Sequence, residues 1–147
     1  MKINDFIFNF VVIGTPKSGT TYTYQLLKEH PEVAITSSKD GVEGWFFSPT
    51  ESPGAKNSVL ESIHKTSLTK IVGEYQEGYS LLRGSEIQMH TNNPEMKIIV
   101  CVRNPYDRAY SNYTHRVLTG DFQSLDAKED HFHIIEYGFY YQNLKPF

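Results

Sequence analysis

The stretch Phe10-Val11-Val12-Ile13-Gly14-Thr15-Pro16-Lys17-Ser18-Gly19-Thr20-Thr21-Tyr22 joins an apolar, β-branched run to a glycine-bearing loop and then to helix-compatible sequence. The run reaches back to Phe6, is interrupted only by Asn9 and stops at Gly14, which predicts a strand over Phe6–Ile13 buried on both faces. Thr20–His30 supplies good helix formers, among them Leu26, Leu27, Lys28 and Glu29. It ends before Pro31, whose ring pushes the preceding residue out of the helical region. Strand, loop and helix in that order form the opening unit of a parallel α/β sheet.

The same alternation continues outward. Val33–Thr36 reads as a short second strand, and Ser37–Lys56, with Gly41, Gly44, Pro49, Pro53 and Gly54, reads mostly as a long loop. Asn57 or Ser58 is expected to cap a helix carrying Val59, Leu60 and Ile63; Lys70–Tyr75 follows as a strand, and a further helix lies between Tyr79 and His90. Lys97–Arg103, set between Asn93-Pro94 and Asn104-Pro105, is the clearest buried strand and is expected near the sheet centre. Asn104 as N-cap, Pro105 at the first helical position and Asp107 in the first turn predict a helix over Pro105–Leu118, closed by Gly120, with Ala109, Tyr113 and Val117 as its apolar stripe. Asp121–Asp130 reads as a surface loop and Tyr140–Lys145 as the start of a last helix. The expected fold class is α/β: a three-layer, P-loop-like parallel sheet with helices on both faces.

At 147 residues, 39% apolar and 14% aromatic, the chain suffices for one domain with one core. Its formal net charge of -3 lacks the basic field of a general nucleic-acid binder, so no nucleic-acid partner is expected. The lone cysteine, Cys101, forms no internal disulfide, and no secretory signal pattern is visible, so the expected compartment is cytoplasmic. No apolar run approaches the roughly 20 residues of a membrane helix, so no membrane partner is expected. His131-x-His133 lacks the further ligands of a recognisable metal site, and no metal is assigned.

The chemistry is concentrated in two places, both at expected carboxyl ends of strands, where ligands of parallel sheets bind. Gly14 and Gly19 bracket Lys17 and open a helix, the shape of an anion cradle: unpaired N–H groups and the helix dipole favour negative charge, while Lys17 and the hydroxyls of Thr20 and Thr21 add donors. An ordinary strand-to-helix turn would also use glycine and threonine, but would not require Lys17 between them. The nucleotide-hydrolase signature G-x-x-x-x-G-K-[ST] would place lysine at position 20, where this chain has Thr20. The strand Lys97–Val102 likewise runs into Arg103, where a magnesium-dependent nucleotidase would offer an aspartate. Arg103 alone would pass for a surface arginine; with Ser111 two turns into the next helix, both can reach one phosphate. Anion binding by cationic side chains without magnesium suits transfer of a group less charged than phosphate, and sulfuryl is such a group.

At these residues the chain resembles the sulfotransferases that use 3'-phosphoadenosine 5'-phosphosulfate (PAPS), and within them the bacterial and heparan-type branch. Pro16-Lys17-Ser18-Gly19-Thr20-Thr21 resembles the family's 5'-phosphosulfate loop. Arg103-Asn104-Pro105-Tyr106-Asp107-Arg108-Ala109-Tyr110-Ser111 resembles its 3'-phosphate motif, with the Arg-to-Ser spacing intact. Weaker similarities fall at His30-Pro31, Gly73-Glu74 and Tyr140–Leu144. The resemblance implies that Lys17 contacts the bridging oxygen between phosphate and sulfate, that Ser18, Gly19, Thr20 and Thr21 hold the 5'-phosphate, and that Arg103 and Ser111 hold the 3'-phosphate. It implies in-line attack on sulfur by a hydroxyl or amine of a small-molecule or carbohydrate acceptor, with PAPS as sulfate donor and no metal. The branch places its base three residues before a Phe-Phe pair, a spacing reproduced by Glu43-Gly44-Trp45-Phe46-Phe47. The usual preceding lysine is replaced by Val42, and Lys39-Asp40 lies nearby, so Asp40 is a rival to the preferred Glu43. Family catalytic domains are longer, so residues 1–147 are expected to form a single sulfotransferase-like domain lacking the usual C-terminal part. The alternatives are a truncated, non-catalytic PAPS- or phosphate-binding module and a small P-loop kinase.

Overall fold

The computed structural model describes residues 6–37, 45–120 and 134–147. Four parallel strands, β1 (Phe10–Val12), β2 (Val33–Ser37), β3 (Ile71–Tyr75) and β4 (Lys97–Ile99), lie in the order β2-β3-β1-β4. Phe10 stands opposite Gly73 on one side and Lys97 on the other. The helices are α1 (Thr20–Glu29), α2 (Pro53–Glu61), α3 (Ser85–Asn92), α4 (Pro105–Thr119) and α5 (Tyr140–Leu144), with a 3-10 turn at Tyr79–Leu81.

Alternation along the first strand builds both layers, since successive side chains leave opposite faces. Val11 and Ile13 join a cluster with Phe8, Phe47, Val59 of α2 and Met89 of α3. Phe10 and Val12 point the other way and pack with Tyr24 of α1, Ile35 and Tyr75. This is the expected parallel α/β sheet covered on both faces.

The first strand is shorter than Phe6–Ile13 because Asn9 diverts the ladder. Its N–H donates to the Val72 carbonyl at 2.8 Å, while its side-chain oxygen takes the Val72 N–H, also at 2.8 Å. Phe6 and Phe8 remain buried, but their backbone is captured by Asn92 at the end of α3: the Phe8 N–H donates to it at 3.0 Å, and it donates to the Phe6 carbonyl at 2.6 Å.

Lys97–Arg103 does not lie at the sheet centre. Strand β4 ends at Ile99 and pairs only with β1, and its other edge meets no strand among the described residues. The ladder continues through Cys101, whose N–H donates to the Gly14 carbonyl at 2.8 Å, but Val102 is 58% exposed. Ile98 and Val100 pack on the first cluster. Ile99 packs on the second cluster, so the run reports apolar layers on both faces and carries no information on strand order.

Other boundaries shift for local reasons. Helix α2 starts at Pro53, inside the expected loop, because Ser52 accepts the Ala55 N–H at 3.2 Å and proline suits the first helical position. Asn57 and Ser58, the expected caps, lie within it. The helix expected between Tyr79 and His90 is split by Gly84, at φ +89°, into the 3-10 turn and α3. Helix α4 begins as read, with the Asn104 side chain accepting from Tyr106 N–H at 3.0 Å and Asp107 N–H at 3.4 Å, and closes on left-handed Gly120. Its stripe is displaced, however: Val117 is 48% exposed, and the fully buried residue is Arg108, which donates to the Ile134 carbonyl and lies 5.9 Å from the Tyr137 ring.

Candidate functional site

Three loops meet at the carboxyl ends of β1, β3 and β4. Gly14 has φ +126°, and a Cβ there would stand 2.4 Å from the Glu77 carbonyl oxygen, so glycine lets the loop after β1 pack directly on the chain leaving β3. Lys17 also takes a left-handed conformation, φ 64°, uncommon for a side chain of its size. The buried Thr15 hydroxyl pins the loop, lying 2.8 Å from the Ser18 hydroxyl and donating to the Cys101 carbonyl at 3.2 Å. Helix α1 is entered through Gly19 with no side-chain cap, so no capping side chain takes up its first-turn N–H groups.

Beside this loop is a cleft of about 570 Å³. Lys17, Gly19, Thr20 and Thr21 form one wall. Gln76 and Glu77, just past β3, form the second, and Ser111, Asn112, His115 and Arg116 on α4 form the third, with Trp45 and Tyr137 as aromatic edges. Of the expected residues, Lys17, Thr20, Thr21 and Ser111 are thus brought to one cavity. Arg103 does not line this cleft; it is exposed, with its Nη1 donating to the Lys17 carbonyl at 3.5 Å. Its backbone is held by Tyr140, whose hydroxyl donates to the Arg103 carbonyl at 2.6 Å. Asp40 and Glu43, like His131 and His133, lie outside the described residues.

Thr20 is turned from the role expected of its hydroxyl. It is 2% exposed, its hydroxyl lies 2.9 Å from the Tyr75 hydroxyl and it donates to Glu77 Oε2 at 3.3 Å. Burial pushes the Tyr75 phenol above its ordinary value, so it stays a donor there. Thr21, by contrast, is exposed.

Sequence reasoning missed Gln76, Glu77, Asn112, His115 and Arg116. His115 follows Ser111 at a spacing of four, so extending the helical period would have marked it, while Asn112 and Arg116, themselves four apart, form an adjoining stripe that the period from Ser111 does not mark. Gln76 and Glu77 follow a strand end, where ligands of such sheets bind.

The segment carrying Trp45 is fastened from below. The Phe46 N–H donates to the buried Glu74 carboxylate at 3.1 Å, and the Phe47 N–H donates to the Tyr79 hydroxyl at 2.9 Å, which itself donates to Glu74 at 3.0 Å. Burial lifts the Glu74 carboxyl from 4.5 to about 7, against the opposing hydrogen bonds and the charge of Lys56. The fold holds this proton more tightly than the unfolded chain does. Its stabilising contribution is therefore fully present below about pH 4.5 and is lost as pH rises towards about 7, a change of about 3 kcal/mol. Glu74→Gln keeps an acceptor for the Phe46 N–H and has no charge to bury. Its stability relative to the parent is expected to rise by about 3 kcal/mol between about pH 4 and pH 8 in denaturant unfolding; parallel pH profiles would refute the assignment.

Comparisons with known proteins bear on the family and the fold. A family model described as "Sulfotransferase domain" matches residues 9–147. The chain is 34% identical over 107 residues to the membrane-associated sulfotransferase kil1 of Dictyostelium discoideum, covering 71% of this chain and 22% of that protein. It is 26% identical over 147 residues to heparan sulfate glucosamine 3-O-sulfotransferase 3B1 of Mus musculus, covering 92% of this chain and 36% of that protein. It therefore spans about a fifth to about a third of the length of these relatives. A sulfotransferase crystal structure from Alicyclobacillus acidocaldarius superposes with a TM-score of 0.75 at 22% identity, covering 96% of this chain and 68% of that one, a likeness of fold. Among the described residues, no helix is long and apolar enough to cross a membrane.

Proposed function

The chain belongs to the sulfotransferase-domain family, and on that premise we propose that it transfers a sulfuryl group from PAPS to a hydroxyl or amine of a carbohydrate or small-molecule acceptor, in line and without a metal. The observation that carries this reading is the uncapped start of α1 with Lys17 at the cleft and Arg103 against the same loop. The residues present fit the donor. An open loop backbone with uncapped N–H groups suits the 5' end, and Arg103 and Ser111 supply donors for the 3'-phosphate. PAPS brings a sulfuryl group already bonded to a phosphate leaving group. Lys17 then stabilises the charge that gathers on the departing oxygen, and the α1 N–H groups orient the phosphate for in-line displacement. Glu43, or Asp40 in the rival register, takes the acceptor proton. The carbohydrate acceptor is suggested by relatives named for heparan sulfate glucosamine.

Calorimetric titration with 3'-phosphoadenosine 5'-phosphate in the presence of a magnesium chelator tests the site. The full chain is expected to bind, and Arg103→Ala to bind roughly ten- to a hundredfold more weakly, since charge-assisted contacts to phosphate contribute about 1.5 to 3 kcal/mol. Unchanged affinity would remove Arg103 from the site. A strict magnesium requirement would favour a small P-loop kinase, and binding without transfer to any acceptor would favour a non-catalytic module.

A further inference from the structure

Glu77 is the only carboxylate lining the cleft among the described residues, and it stands against the very loop that receives an anion. Its Oε2 accepts from the Tyr75 hydroxyl at 2.9 Å and from the Thr20 hydroxyl at 3.3 Å. The backbone at Glu77 is pressed on the loop where Gly14 lacks a Cβ, and the hydroxyls of Tyr75 and Thr20 hold the carboxylate beside that loop. Holding two hydroxyls needs only an acceptor, which a neutral glutamine carbonyl would also provide. The negative charge therefore adds something a mere pin does not, and next to an anion site its effect is repulsion.

We propose that Glu77 sets specificity between the sulfate donor and the spent product, by repelling the product's 5'-phosphate more strongly than the donor's. This rests on the reading that the Pro16–Thr21 loop receives the 5' end of PAPS. In the donor, the phosphorus group at that position carries one negative charge, and the second sits farther out on the sulfate. Once the sulfuryl group has left, the same position holds a terminal phosphate carrying about -1.5 to -2 at neutral pH. The group nearest the carboxylate thus gains charge at the moment the product forms. Lys17, His115 and Arg116 line the same cleft and Arg103 lies against the Lys17 carbonyl beside it, and together these cations set the overall attraction for both nucleotides. Glu77 divides that attraction unequally and favours release of the spent nucleotide.

The test is calorimetric affinity for PAPS and for 3'-phosphoadenosine 5'-phosphate at about pH 7.5, where the terminal phosphate is mostly dianionic. The parent chain is compared with Glu77→Gln and with Glu77→Ser. The serine variant removes the charge without adding an amide donor that could itself bind phosphate, and it serves if the glutamine variant fails to fold. Both variants are expected to bind the product about tenfold more tightly and the donor no more than about threefold more tightly, which shifts the affinity ratio towards the product. Equal tightening of both nucleotides, no change, or weaker binding of both would overturn the discriminating role of Glu77 and leave it a fastener for Thr20. Failure of the parent and both variants to bind either nucleotide would instead overturn the PAPS reading, and this inference with it.

Discussion

Lys17→Ala is expected to lower the rate of sulfuryl transfer at saturating donor by about 10² to 10³ while weakening binding of 3'-phosphoadenosine 5'-phosphate by less than about tenfold. The asymmetry follows from where the ammonium acts. In the proposed mechanism the α1 N–H groups and Arg103 hold the nucleotide in the ground state. Lys17 is half-buried at the cleft on a left-handed backbone, and its proposed role is to meet the charge that accumulates only as the bond between sulfur and the bridging oxygen breaks. Removing one preorganised donor from such a position costs a factor of that size in other acyl- and phosphoryl-transfer sites. The measurement is single-turnover release of 3'-phosphoadenosine 5'-phosphate from PAPS, in the presence of carbohydrate, phenol and amine acceptors, set beside calorimetric affinity for the product. Equal losses in rate and affinity would make Lys17 an ordinary binding residue.

Glu43→Gln is expected to reduce transfer by about 10² to 10⁴, with nucleotide affinity nearly unchanged. An acceptor hydroxyl is a poor nucleophile until its proton is taken, and a glutamine side chain of the same shape cannot take it. The residues just after it are fastened by the Phe46 and Phe47 N–H groups to Glu74 and Tyr79, and Trp45 lies on the cleft. Asp40→Asn is the companion variant. If Asp40→Asn abolishes transfer and Glu43→Gln does not, the register of the base is Asp40. If both retain full transfer, neither acid is the base.

What was legible in the chain alone was what short stretches of backbone dictate. The loop between Gly14 and Gly19 was readable because a left-handed turn into a helix start demands glycine whatever surrounds it. Helix α4 was readable at both ends, since Asn104, Pro105 and Gly120 satisfy or terminate its backbone without outside help. The period-two division of β1 between two core layers follows from its apolar run in the same way. Ser52-Pro53-Gly54 was ambiguous, because those residues serve a turn and a helix start equally well.

The tertiary structure decided what depends on partners far along the chain. The apolar run from Lys97 specifies a strand but not its neighbour, and only assembly of the sheet puts β4 at an edge beside β1. The rotation of α4 about its axis turns Ser111, Asn112, His115 and Arg116 into the cleft and leaves Val117 outside. That rotation is set by what packs against the helix, since local sequence specifies where a helix runs but not which way it faces. That the Thr20 hydroxyl meets Tyr75 and Glu77, more than fifty residues away, was not readable along the chain. Dihedral preferences act within a few residues and so can be read in order along the chain. Strand order, helix rotation and hydrogen bonds between distant side chains exist only once the chain has closed on itself.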